Sequence, residues 1–196
     1  SLRTGIMAGS ICPKFLMERC IEELYLKDLT ICYGMTELSP VTHQTLISDN
    51  IDKKTQTVGT NLPHTITKIV DENGEIVPRG QKGEICSKGF GLFEGYYANE
   101  NATKNSIDKD GFMKTGDIGY IDNEGYLYIE GRIKDTIIRG GENISPKEVE
   151  DFLGTNFKIE NVQDLNLRNL YNLIVEKKWG EQYVNDIRYM VDIGYN

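Results

Sequence analysis

The chain has 196 residues, enough to bury the core of one domain or of one and a half. Its 22 basic residues against 30 acidic ones leave a net charge of -8, which argues against a nucleic-acid backbone or an anionic membrane surface as the main partner. Cys12, Cys20, Cys32 and Cys86 form no Cys-x-x-Cys pair, and no stretch nears the roughly 18 consecutive apolar residues of a membrane helix, so zinc ribbon, disulfide framework and membrane span all drop out.

The sequence opens inside what reads as a strand-to-helix unit and is expected to be a fragment. Pro13 stands in the first turn of an amphipathic helix whose apolar positions are Phe15, Leu16, Cys20, Ile21 and Leu24. Residues 29–32 read as a short strand that feeds the loop Tyr33-Gly34-Met35-Thr36-Glu37. From Val58 the pattern changes to short alternating runs at 65–70, 75–77 and 84–87, separated by Asn73-Gly74 and Arg79-Gly80, which predicts an antiparallel sheet or a small barrel. A polar helical stretch at 101–107 follows. Turns at Asp110-Gly111 and Glu124-Gly125 then bracket 112–121, and 126–130 is a strand. Ser145, with Glu148 three positions on, caps a helix over 146–153. A second, small domain is expected to start near Lys134, and 164–196 has no clean periodicity.

Three blocks carry polar chemistry. The 33–37 loop combines a ring on which adenine can stack, a glycine for close backbone approach, a hydroxyl for a phosphate oxygen and a carboxylate for magnesium, although Thr-Glu after glycine is also ordinary turn chemistry. In Thr115-Gly116-Asp117, between two predicted strands, the aspartate could accept two ribose hydroxyls or simply shape a turn. The segment from Gly131-Arg132 to Ser145-Pro146 sets fixed charges and Gly140-Gly141 around the expected domain boundary. His43 and His64 lack a nucleophile partner and read as core or loop packing, and Tyr96-Tyr97 and Tyr126 with Tyr128 read as sheet faces rather than as a nucleic-acid platform.

Taken in order, Ile31 through Glu37 with Ser39-Pro40, then Thr115-Gly116-Asp117, then Gly131-Arg132 through Glu150, these blocks resemble the AMP-forming acyl-CoA synthetases of the adenylate-forming superfamily over roughly residues 5–163. The wording is most similar to that of medium-chain or general fatty acyl-CoA synthetases, with peptide-synthetase adenylation domains next. The resemblance implies an α/β segment plus a β-rich subdomain, together the C-terminal part of the large adenylate-forming domain at 1–132. It further implies the start of a small α+β C-terminal domain at 133–163, and 164–196 is left as a divergent tail or the product of a shifted reading frame.

By the same resemblance Ala8, Gly9 and Ser10 line the adenine, Tyr33 stacks on it, and Gly34 and Met35 border the nucleotide and acyl sites. Thr36 and Glu37 are the catalytic pair, with Thr36 at the phosphate and Glu37 on Mg2+. Asp117 and Arg132 hold the ribose, Lys134 is the hinge, and Gly140 and Gly141 serve the thioester step. The implied reaction uses ATP to turn a carboxylic acid, here a fatty acid, into an acyl-adenylate, which coenzyme A converts to a thioester with release of AMP. Independently of the resemblance, the scattered cysteines read as reduced thiols and place the expected compartment in the cytoplasm. The family's phosphate-cradling Ser/Thr/Gly-rich loop and its C-terminal catalytic lysine have no counterpart in the sequence, so a non-catalytic nucleotide-binding remnant stays open beside the ligase reading.

Overall fold

The computed structural model describes residues 2–10, 12–135, 137–139 and 142–144, the last two stretches as backbone. All lie within the compact unit Ser1–Glu148. The expected helix at 146–153, Gly140, Gly141 and the tail at 164–196 lie outside the described residues.

The first layer is α/β. Strand β1 (Thr4–Met7) runs parallel to β2 (Asp28–Gly34), and helix α1 (Lys14–Glu23) makes the crossover between them. Strand β3 (Val41–Gln44) then adds antiparallel to β2, and β4 (Thr60–Asn61) antiparallel to β3, giving the order β1-β2-β3-β4. Pro13 occupies the N-cap of α1 rather than its first turn, and the buried face is Met17 with Cys20 and Ile21 against Leu29 and Ile31. Phe15 and Leu16 point outward, and Leu24 lies past the last helical turn and is exposed, so the expected apolar set was wider than the one stripe a helix can bury. Burying Met17 completely contributes about 1.5–3 kcal/mol.

Between β3 and β4 lies a helix the sequence pattern did not announce, α2 (Ile51–Gln56). It has no apolar stripe and is held by its ends: Asn50 Oδ1 accepts from Lys53 N at 2.8 Å, and the buried Lys54 donates to Ile47 O at 2.9 Å.

The second layer is an open antiparallel sheet, not a barrel, in the order β5 (Thr65–Val70), β6 (Gly83–Gly89), β7 (Met113–Ile121), β8 (Leu127–Arg132). The expected strand at 75–77 is absent as a strand. Asp71 Oδ1 accepts from Asn73 N and Glu75 N, closing a tight turn, and only an isolated bridge from Ile76 to Val70 survives beyond it. Helix α3 (Glu100–Ser106) lies beside β7, and the backbones of β9 (Ile137–Arg139) and β10 (Glu142–Ile144) pair antiparallel.

The two layers are joined where Val58 N donates to Leu127 O and Leu127 N to Gly59 O, both at 2.9 Å. Val58 belongs to both apolar clusters, and in the second it packs with Ile69, Ile85 and the fully buried Leu127. Tyr33, from the first sheet, packs on that same second cluster. The joint therefore sets how the ends of β2 meet the second sheet.

Candidate functional site

Strand β2 runs two residues further than expected, so Tyr33 and Gly34 are strand rather than loop, and a register shift between them lets the chain swing away. At Gly34 a Cβ would sit 1.8 Å from Pro40 O, so only glycine lets the returning strand β3 approach there. Thr36–Leu38 then forms one 3-10 turn, which presents Thr36 exposed and Glu37 half-buried. Because β1 and β2 are parallel, with Met7 opposite Ile31, the loop Ala8-Gly9-Ser10 leaves the sheet at the same edge as Tyr33 and Gly34. That carboxyl edge of parallel strands is where open α/β sheets take ligands.

Thr115, Gly116 and Asp117 do not form a turn between strands, as expected, but a bulge inside β7, whose register against β6 shifts across Glu84 and Cys86. The bulge is pinned on both sides. Thr115 Oγ1 donates to Ile85 O at 2.8 Å and accepts from Asp117 N at 3.1 Å, while Gly116 (φ +73) donates its N-H to Glu84 Oε1 at 3.2 Å. The two extra residues turn the Asp117 carboxylate toward its cross-strand partner Arg132 and toward Tyr33 of β2.

Asp117 is the node of the site. Tyr33 OH donates to its Oδ2 at 2.6 Å and Arg132 Nε to its Oδ1 at 3.0 Å. Burial, followed by the neighbouring Asp117 charge and its hydrogen bond, holds the Tyr33 phenol far above its ordinary range, so it remains a donor at neutral pH. A carboxylate offers about four lone-pair sites, so one oxygen pair so engaged still leaves room for two hydroxyls of a ligand. Tyr33, Asp117 and Arg132 are thus brought together. Lys134 lies on the exposed 3-10 turn Ile133–Asp135, which packs on β7, and makes no hydrogen bond to that cluster.

One residue of the site, Tyr96, escaped the sequence reading. Tyr96 and Tyr97 are not on a sheet face but in the glycine-bearing loop after β6; Tyr97 is fully exposed, while Tyr96 OH donates to Glu37 Oε1 at 2.7 Å. The loop carries Gly95 at φ +150 and Ala98 at φ +52, which breaks any pleat. His43, expected as core or loop packing, is core. It is completely buried behind Tyr33 with ring centroids 6.1 Å apart, its Nδ1 lies 2.9 Å from Thr42 Oγ1, and among the described residues its Nε2 makes no well-formed hydrogen bond.

Burial pushes the His43 imidazole from 6.5 down to about 4, the Asn61 amide on β4 opposing this only in part. An unfolded chain takes up this proton near pH 6.5 whereas the folded one does so near pH 4. Folding stability should therefore fall as the pH drops from 6.5 towards 4, by up to about 3 kcal/mol. Urea titrations at pH 7, 5.5 and 4.5 check this, and His43→Gln should flatten that part of the profile.

The model of the AMP-binding enzyme family matches residues 1–97. Over 154 residues the chain is 49% identical to the putative acyl-CoA synthetase YngI of Bacillus subtilis, covering 78% of this chain and 28% of that protein. Over 170 residues it is 45% identical to the mitochondrial medium-chain acyl-CoA ligase ACSF2 of Danio rerio, covering 86% of this chain and 28% of that protein. The chain belongs to the adenylate-forming, AMP-binding enzyme family. It spans about 28% of the length of these curated relatives.

Among solved structures of the family, O-succinylbenzoate coenzyme A synthetase (MenE) of Bacillus subtilis in complex with ATP and magnesium ion superposes with a TM-score of 0.68 at 36% identity, covering 77% of this chain and 31% of that one. The donor set here fits magnesium of that kind. Among the described residues no three His, Cys, Asp or Glu side chains form a metal cage, and Glu37 is a single carboxylate on an open turn. Mg2+ keeps most of its waters and takes one or two carboxylates plus substrate phosphates, so such a ligand suffices. Among the described residues no helix is long and apolar enough to cross a membrane, and all four cysteines are free.

Proposed function

We propose that this chain carries the nucleotide half-site of an AMP-forming acid–coenzyme A ligase that acts on a fatty acid. The observation that carries the reading is the chain of hydrogen bonds from Tyr33 through Asp117 to Arg132, which offers two free acceptor positions beside a half-buried aromatic ring. In this reading Asp117 accepts the two ribose hydroxyls, Arg132 holds Asp117 in place, Tyr33 stacks on adenine, and Ala8, Gly9 and Ser10 line the base, with Gly34 and Met35 at its border. Thr36 donates to a phosphate oxygen and Glu37 ligates Mg2+, and the bound ion supplies charge neutralisation on the phosphates.

In the overall reaction a carboxylate oxygen of the acid bonds to the α-phosphorus of ATP and pyrophosphate leaves. The coenzyme A thiolate then bonds to the acyl carbon, and AMP leaves. The fatty acid and coenzyme A are read from what the relatives are called, the B. subtilis protein an acyl-CoA synthetase and the D. rerio protein a medium-chain acyl-CoA ligase. The division at 132/133, with Lys134 as hinge and Gly140 and Gly141 in the thioester step, belongs to the same proposal. So does a cytoplasmic setting, which four free thiols suit.

Thermal unfolding with and without a non-hydrolysable acyl-adenylate analogue tests the reading, because a ligand at a hundredfold excess over its Kd adds about 2.7 kcal/mol to the folded state. An upward shift supports it, and an unmoved cooperative transition sinks it for this chain. Glu37→Gln should separate the metal from the nucleotide. Mg2+ should tighten ATP binding to the wild type and leave the affinity of the variant unchanged to within about twofold, as read by calorimetric titration with and without the ion.

A further inference from the structure

The Thr36–Leu38 turn is exposed on one side, and a glutamate there would ordinarily sample several rotamers. Glu37 does not. Its Oε1 accepts from Tyr96 OH at 2.7 Å, and its main-chain O accepts from Phe93 N at 2.9 Å. Tyr96 is itself clamped. Its ring meets Phe93 edge-on at 4.9 Å and 75°, its N-H donates to Thr103 Oγ1 of α3 at 2.9 Å, and its main-chain O accepts from Asn99 N at 3.1 Å. Asn99 in turn caps α3, its Oδ1 accepting from Ala102 N at 3.1 Å. A rigid path therefore runs from the helix through one phenol to one oxygen of the glutamate, and the other oxygen, Oε2, accepts no hydrogen bond among the described residues.

We infer that Tyr96 is a positioning residue for the metal site: by holding Oε1 of Glu37 it fixes the carboxylate so that Oε2 faces a nucleotide-bound divalent cation. The inference rests on the proposed role of Glu37. The arrangement has a physical purpose. A phenol that takes one carboxylate oxygen prevents both oxygens from chelating one ion and leaves a monodentate ligand, which suits the octahedral shell of Mg2+. It also spends the rotamer entropy of Glu37 on folding rather than on binding. Since the phenol lies on a different loop from the carboxylate, 59 residues on, it acts through Glu37 and not on the nucleotide.

The test counts free Mn2+ by electron paramagnetic resonance while Mn2+ is titrated into the 196-residue chain with ATP, in the wild type, Tyr96→Phe, Glu37→Gln and the double variant. Tyr96→Phe removes a single oxygen and keeps the ring on Phe93, and its unfolding transition is recorded beside the binding curves. The expected result is that Tyr96→Phe weakens Mn2+·ATP roughly tenfold, about 1.4 kcal/mol, and leaves metal-free ATP binding unchanged. In the Glu37→Gln background the second change should add nothing. Wild-type binding of Mn2+·ATP with no difference in Tyr96→Phe, or an equal loss for metal-free ATP, overturns the role of Tyr96 alone. A wild type that takes up no Mn2+ with ATP overturns the metal reading of Glu37 and this inference with it. Conversion of Tyr96→Trp, which fills the ring site without offering the phenol, should repeat the loss seen with phenylalanine and so rules out a packing effect peculiar to one substitution.

Discussion

Asp117→Ala should lower the affinity for an adenylate analogue about a hundredfold or more, near 3 kcal/mol. The carboxylate holds Tyr33 OH at 2.6 Å and Arg132 Nε at 3.0 Å, so its removal takes away the proposed ribose acceptors and leaves a half-buried phenol without its partner. Hydrogen bonds to a charged group contribute about 1.5–3 kcal/mol each, and an orphaned donor adds its own desolvation cost. Asp117→Asn keeps one carbonyl oxygen for Tyr33 and should cost about tenfold less than the alanine variant. Isothermal titration with the analogue measures both. Wild-type affinity in Asp117→Ala would remove this residue, and the hydrogen-bond chain that depends on it, from the nucleotide site.

Gly34→Ala is expected to lower stability by roughly 2–4 kcal/mol and the melting temperature by about 6–12 °C. The new Cβ would meet Pro40 O at 1.8 Å, Pro40 C at 2.8 Å and Val41 Cα at 2.9 Å, all main-chain atoms that no side-chain rotation can move. Since Gly34 pairs with Val41, relief requires β2 and β3 to part at the point where the 33–37 segment swings out, so Tyr33 and Glu37 should lose their geometry together. Gly111→Ala is the control. It has φ +79 and open space around the added carbon, so it carries only the cost of a left-handed conformation, about 1–2 kcal/mol. Thermal unfolding followed by circular dichroism separates the two, and equal losses would mean that the contact with Pro40 is relieved elsewhere.

What could be read directly from the chain was whatever depends on neighbours in sequence. Strand β5 has the bounds that its alternation predicts, and α3 is offset by one residue from the predicted 101–107. The turns at Asn73-Gly74, Asp110-Gly111 and Glu124-Gly125 all form, because a glycine at positive φ closes each of them wherever the flanking strands lie. The three motif blocks named the family for a similar reason, since each is a local string whose backbone demands can be met within a few residues. Pattern failed where an element is held by something other than its own periodicity. Helix α2 lacks an apolar stripe, 75–77 is consumed by the turn before it, and α1 buries Met17 rather than the wider set.

By itself the sequence determined the family, the turns, most strands of the second sheet and the identity of the chemical groups at 33–37, 115–117 and 132. Only the tertiary structure decided that Tyr33 OH donates a hydrogen bond at 2.6 Å to Asp117, 84 residues away, that Thr115-Gly116-Asp117 is a bulge within a strand, and that Tyr96 grips Glu37. The reason lies in how the sheets are joined. Turns and strands follow from steric limits on adjacent residues, but the meeting of side chains from β2, β7 and the loop after β6 is set by the shared packing of Val58 and Leu127, an apolar contact that is non-directional and leaves no local signature in the chain.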